Sequence, residues 1–185
     1  MSNENLHAQW EFAKQQYNNF ADQKMVKIYT SGSLLEDREI PVEFQATVLR
    51  ECHEMGKELI VESRCEQLTE EKLSWATSIN PSFTVAIGLE AYDDEVLRFH
   101  VNKGFTIKSW DKAVENLRKF DLRIKTYLMF KPPFMSEKDA LVHGVKWIKD
   151  VASRSDEISV NPMNIQRSTI IDRLHRHNEY RPPWL

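Results

Sequence analysis

The sequence predicts an α/β fold: an open, partial (βα) TIM-like barrel of about five parallel strands with helices outside, in a single domain over residues 1–185. Three observations predict it. Short continuous apolar runs, such as Phe83-Thr84-Val85-Ala86-Ile87, alternate strictly with stretches of helical periodicity, the pattern of a buried parallel sheet. Each run opens into a polar or glycine-bearing cluster. The length of 185 residues leaves room for roughly five or six βα units, where a complete eight-unit barrel takes about 250 residues. A doubly wound sheet is the alternative.

The elements follow in order. Trp10, Ala13, Tyr17 and Phe20 at helical spacing make residues 5–21 an amphipathic helix. Residues 25–30 are a partly β-branched strand running into Ser31-Gly32-Ser33. Pro41 opens the next helix where its missing N–H is harmless, Phe44, Val48, Cys52 and Met55 form the buried stripe, and Gly56 stops it. Residues 58–61 are the second strand, and Thr69 caps a helix with Glu70 and Glu71 in its first turn and Leu73 and Ala76 inside. Asn80-Pro81-Ser82 turns the chain into the third strand, 83–87, and a short helix starts from Asp93. Thr106 caps a helix with Trp110, Ala113, Leu117 and Phe120 on one face, and 122–130 is the fourth strand. Ser136 with Asp139 resembles a capping box for a helix through Gly144, Trp147, Ile148 and Val151. Residues 157–160 are the fifth strand, and the tail is helical from Ile165.

Composition excludes several classes. A net charge of −3 gives no global basic field for nucleic acid. No apolar run is long enough to span a bilayer, and the first residues lack a basic-then-apolar signal, so the expected location is the cytoplasm. The two cysteines, Cys52 and Cys65, have no CxxC spacing and no histidine partners at zinc spacing. Cys52 falls on a helix stripe, Cys65 is expected to be more exposed, and no metal ligand set is assigned. The sequence sets no oligomeric state.

The candidate chemistry lies just after the strands, the rim where parallel α/β folds bind ligands. Ser31, Gly32 and Ser33 offer N–H groups and hydroxyls to an amine, carboxylate or phosphate, or form a plain turn. Glu62 and Arg64 would point one way if the strand continued through them, or pair with each other. Glu90 could accept ribose hydroxyls, or form a salt bridge to Lys103 or Lys131. Lys131 could hold an anion or be a solvated lysine. Asn161-Pro162-Met163-Asn164 closes the series. Arg167, Arg173, His175, Arg176, His177 and Arg181 in the tail form either a phosphate-contacting patch or, in the favoured reading, a solvated face.

Taken together, KIYTSGSLLEDREIP, LIVESR, VAIGLEAYDDEVL with HVNKGFT, TYLMFKPPFMSEKDA, ISVNPMNIQRST and EYRPPWL resemble the radical S-adenosylmethionine superfamily. The branch is the archaeal group related to the elongator catalytic subunit, which includes the radical enzyme of archaeosine synthesis on tRNA. The resemblance implies an oxidoreductase with a partial (βα)6 barrel that binds S-adenosylmethionine and a [4Fe-4S] cluster. The cluster reduces the sulfonium, and the resulting 5′-deoxyadenosyl radical takes hydrogen from substrate. By the resemblance, Ser31, Gly32 and Ser33 hold the methionine amino group, while Glu62 and Arg64 lie near the ribose and carboxylate. Glu90 faces the nucleoside, and Asn161 lies near adenine or substrate. Lys131, Asn164 and Arg167 are the substrate-side candidates, with tRNA or a nucleoside as the partner.

One departure stands out: the family's three cysteines, usually CxxxCxxC, are missing, and Cys52 and Cys65 have the wrong spacing to replace them. The simplest account is a fragment, or a cluster-less relative, lacking strand one and its loop. As written, the chain is not expected to cleave S-adenosylmethionine. A cluster-less nucleoside-binding module is the alternative function, and an α/β enzyme using Glu62 and Glu90 as an acid–base pair is the weaker third.

Overall fold

A computed structural model describes residues 2–29 and 32–184. Its strands are β1 (Met25–Ile28), β2 (Glu58–Glu62), β3 (Thr84–Glu90), β4 (Arg123–Phe130) and β5 (Glu157–Pro162). Its α-helices are α1 (Asn3–Gln16), α2 (Val42–Glu54), α3 (Glu70–Ile79), α4 (Ile107–Lys119), α5 (Glu137–Ala152) and α6 (Ile170–Arg176). The sheet runs in the order β1-β2-β3-β4-β5. Each new strand joins beside its predecessor, with β1–β2, β2–β3 and β4–β5 paired in parallel. A doubly wound sheet would reverse direction at a switch point. The sequential order is that of a barrel wall, and the fold is the α/β open, partial barrel with helices between its strands.

The chain divides into two compact units: Met1–Ile87 with Asp111–Ile124, and Gly88–Trp110 with Lys125–Leu185. The first unit's core is built on β2, where Leu59, Ile60 and Val61 are buried in succession. Val48, Leu49 and Cys52 of α2, Leu73 and Ala76 of α3 and Leu117 of α4 are also fully buried there. The second unit buries Leu89, Leu97, Leu128, Trp110, Trp147 and Val151. Local signals in the sequence explain the helix starts. Thr69 accepts the N–H of Lys72, Ser136 that of Asp139 and Thr169 that of Asp172, so each removes one orphan donor at an N-terminus. Gly56, at φ +63°, ends α2 in the left-handed conformation.

Several boundaries differ from the sequence reading. The expected strand 83–87 runs on through Gly88 to Glu90, and 157–160 extends to Pro162. A backbone ladder does not depend on side-chain polarity, so a strand outlasts its apolar run. The short helix near Asp93 is a π-helical turn, Val96–Val101, whose entry Asp93 fixes by accepting the N–H groups of Glu95 and Val96. The tail's helix starts at Ile170, not Ile165. Cys65 is buried rather than exposed, because the 3-10 turn Cys65–Gln67 folds its thiol inward at the end of β2. No helix among the described residues is long and apolar enough to cross a membrane.

Candidate functional site

In the first unit, the loop after β1 is tied to the end of β2. Leu34 N–H donates to the Glu62 carbonyl (3.0 Å), and the hydroxyls of Ser33 and Ser63 share a 2.8 Å hydrogen bond out of solvent. Ser33 N–H donates to the Glu39 carboxylate at 2.9 Å. A β-carbon on Gly32 would fall 1.7 Å from Glu39 Oε2, so this loop closes around a carboxylate only because residue 32 has no side chain. Glu39 was not singled out in the sequence, because it lies well past the strand in an apparently solvated acidic run. Thr30 and Ser31 lie outside the described residues. Glu62 is the last residue of β2, and Arg64 turns outward to an ion pair with Glu66 (3.0 Å), so it pairs there and not with Glu62.

In the second unit, a cavity of about 700 Å³ brings together Glu90, Asn161 and Asn164, three of the residues singled out in the sequence. Glu90, at the end of β3, has φ +72°, a left-handed conformation that costs a non-glycine residue energy. It forms the expected ion pair with Lys103, Nζ to Oε1 at 3.0 Å. Gly88 serves that pair: a β-carbon there would lie 2.8 Å from Glu90 Oε1 and 3.0 Å from Lys103 Nζ. Phe99, His100 and Asn102 of the π-helical turn and Phe134 after β4 line the same cavity. None of these four was a sequence candidate. Asn102 gave the one available signal, a chain breaker, and it takes φ +54° where the turn closes.

Lys131 and Arg167 are not among the cavity's lining residues. Lys131 is buried and pairs with Glu137 at 2.6 Å, and its carbonyl accepts the Tyr180 hydroxyl at 2.9 Å. Arg167 is exposed, and in the tail Arg176 holds Asp172 through two hydrogen bonds, 3.0 and 2.8 Å. Burial pushes the Tyr180 hydroxyl up to about 12. The Lys131 ammonium, helped by the N–H of Trp184 (2.8 Å), holds the Glu137 carboxyl below its ordinary value. A depressed carboxylate contributes its stability above the unfolded-state value and loses it as pH falls through the folded-state value. The contacts of Glu137 with Lys131 and Trp184 are therefore expected to loosen only on acidification below the usual carboxylate range. The Trp184 amide resonance is expected to titrate there, and in Glu137→Gln it is expected not to.

The donor set does not fit a [4Fe-4S] cluster. Neither cysteine is in a disulfide and both are buried, and burial pushes the Cys52 thiol up to about 12, away from the thiolate a cluster needs. Among the described residues no group of three or more His, Cys, Asp or Glu side chains converges as a metal site.

The fold is similar to that of two solved proteins, one of them a radical S-adenosylmethionine methyltransferase. It matches the archaeal Elp3 of Methanocaldococcus infernus with a TM-score of 0.70 at 15% identity, covering 96% of this chain and 46% of that one. It also matches TsrM of Kitasatospora setae, a radical S-adenosylmethionine methyltransferase solved with cobalamin and a [4Fe-4S] cluster bound, with a TM-score of 0.52 at 13% identity over 75% of this chain and 28% of that one. By sequence the chain is related to archaeosine synthase subunit beta: 39% identity over 165 residues with the Methanosarcina acetivorans protein, covering 87% of this chain and 48% of the relative. Identity to the Thermococcus kodakarensis protein of the same name is 37% over 164 residues, 86% of this chain and 51% of that one. The chain spans about half the length of the relatives it matches. No protein-family profile matches it.

Proposed function

We propose that this chain is the cofactor- and nucleoside-holding part of a radical S-adenosylmethionine enzyme that modifies a nucleoside in tRNA, acting in the cytoplasm with a partner subunit. The 39% identity to an archaeosine synthase subunit beta carries this reading. In it, the loop Ser31-Gly32-Ser33 holds the methionine amino group, and Glu39, which accepts the Ser33 N–H, adds the counter-charge. Glu62 and Arg64 serve the ribose and carboxylate, and Glu90 and Asn161 serve the nucleoside. Asn164 and Arg167 face substrate, while Lys131 fixes the tail beside them. The described residues supply no thiolate set, so no step of S-adenosylmethionine cleavage is assigned to them.

A longer polypeptide carrying this chain behind a CxxxCxxC segment, with reconstituted cluster, reductant and S-adenosylmethionine, is expected to release 5′-deoxyadenosine. Its absence overturns the enzyme reading. The two buried cysteines favour a second reading, a cluster-less binding module. Titrating S-adenosylmethionine and then guanosine into the 185-residue chain tests that one, and no heat with either overturns it.

A further inference from the structure

We propose that the outward face of α5 is an interaction surface. Its occupant is a helix from the polypeptide that makes up the other half of the relatives' length, apolar on one face with a carboxylate at each end of that face. The outward positions of a surface helix are normally polar. In α3 the exposed positions are Glu70, Glu71, Ser74 and Ser78, and in α4 they are Lys108, Lys112, Glu115, Arg118 and Lys119. The α5 helix departs from this pattern. Its inner face buries Ala140, Gly144, Trp147 and Val151, yet Leu141 and Val142 are each 59% exposed and Val145 is 45% exposed. A helix that is apolar on both faces belongs between two neighbours, and grouped exposed aliphatics mark contact surfaces. Glu137, Leu141 and Val145 follow one another at i, i+4 spacing in a single row. Trp184, 78% exposed, is tied to the head of that row by its N–H, which donates to Glu137 Oε1 at 2.8 Å. The strand β5 ends the sheet order with Val160 41% exposed, so among the described residues this unit's last strand is uncovered as well.

Charge says what the occupant carries. Lys138 and Lys149 are exposed at the two ends of the apolar patch. The carboxylates beside them are engaged elsewhere: Asp139 accepts the Ser136 hydroxyl at 2.7 Å, and Asp150 pairs with Lys146 at 2.7 Å. A second copy of this chain fits badly. Laid antiparallel about the centre of the patch, it would set its Lys149 on Lys138. Laid parallel, it would set each lysine on its own counterpart, so like charges meet in both directions. A helix with carboxylates at those two places pairs with both lysines, and its apolar face covers Leu141, Val142 and Val145. The relatives have chain to spare for this: 48% and 51% of their lengths are matched, leaving about as much polypeptide again.

Thiol labelling with a maleimide tests the assignment, in the 185-residue chain and in a polypeptide of the relatives' full length that carries it. Cys52 and Cys65 are buried, so the reagent reads an introduced cysteine. Val142→Cys is expected to label freely in the 185-residue chain and about tenfold more slowly in the longer polypeptide, where the helix must first open. Ser74→Cys on α3 is expected to label at one rate in both, which makes the protection local. Equal rates for Val142→Cys in the two polypeptides overturn the proposal. Slowing in the 185-residue chain that grows with its concentration overturns it in favour of a second copy, and slowing only after a separate subunit is added overturns it in favour of that subunit. Lys138→Glu combined with Lys149→Glu is expected to raise the Val142→Cys rate in the longer polypeptide about threefold, through lost ion pairs. An unchanged rate there overturns the acidic occupant. None of these readings depends on S-adenosylmethionine, so this surface and the proposed function stand or fall separately.

Discussion

Trp110→Ala is expected to destabilise the protein by about 3–5 kcal/mol, read as a lower urea midpoint at unchanged slope. Trp110 is fully buried in the second unit, with Tyr92 edge-on at 5.9 Å. The Arg154 guanidinium lies 4.8 Å from the centroid of each of these rings, so removing one empties a cavity and strips a cation of half its aromatic support. The indole Nε1 is buried without a partner, so no hydrogen bond is lost with it. For that reason Trp110→Phe is expected to cost less than the alanine variant. It sheds an unsatisfied donor worth about 1–3 kcal/mol, which offsets part of the lost volume. An alanine variant costing below about 1 kcal/mol would mean that Trp110 is not packed as described.

Trp110 was legible because α4 is regular: its stripe of Trp110, Ala113 and Leu117 follows the helical period and is buried. Arg154 was not, since nothing in a sequence says which surface cation folds back over two rings. The same division runs through the site. Glu90 and its partner Lys103 could be named because a carboxylate after an apolar run has few roles. The backbone that aims it could not. The space a side chain on Gly88 would need is filled by the ion pair itself, while the positive φ falls on Glu90. His100 was invisible because a π-helical turn has no periodicity template, neither 3.6 nor 2. Cys65 misled because it follows a strand end, where the chain is expected to reach the surface, whereas a single 3-10 turn buries one side chain among exposed ones.

Gly32→Ala is expected to weaken S-adenosylmethionine binding at least tenfold and to cost about 1–3 kcal/mol of stability. The new methyl would sit 1.7 Å from Glu39 Oε2, so one of the two must move. The backbone cannot give easily. Ser33, Leu34 and Leu35 are at most 1% exposed, Leu34 N–H is held by the Glu62 carbonyl, and the Ser33 hydroxyl is held by Ser63. The carboxylate is exposed and flexible, so it is the group that swings away, and the Ser33 N–H loses its acceptor. Ser33 has no exposed area, so its N–H is left without an acceptor, which costs about 1–3 kcal/mol and leaves the fold standing. The ligand suffers because the loop and its counter-charge no longer present one arrangement. Glu39→Gln separates the two parts: its amide oxygen can still accept from Ser33, but it has no charge to offer an ammonium group. Weak binding in both variants assigns the charge itself to the ligand. Wild-type affinity in Gly32→Ala would show that S-adenosylmethionine does not use this loop.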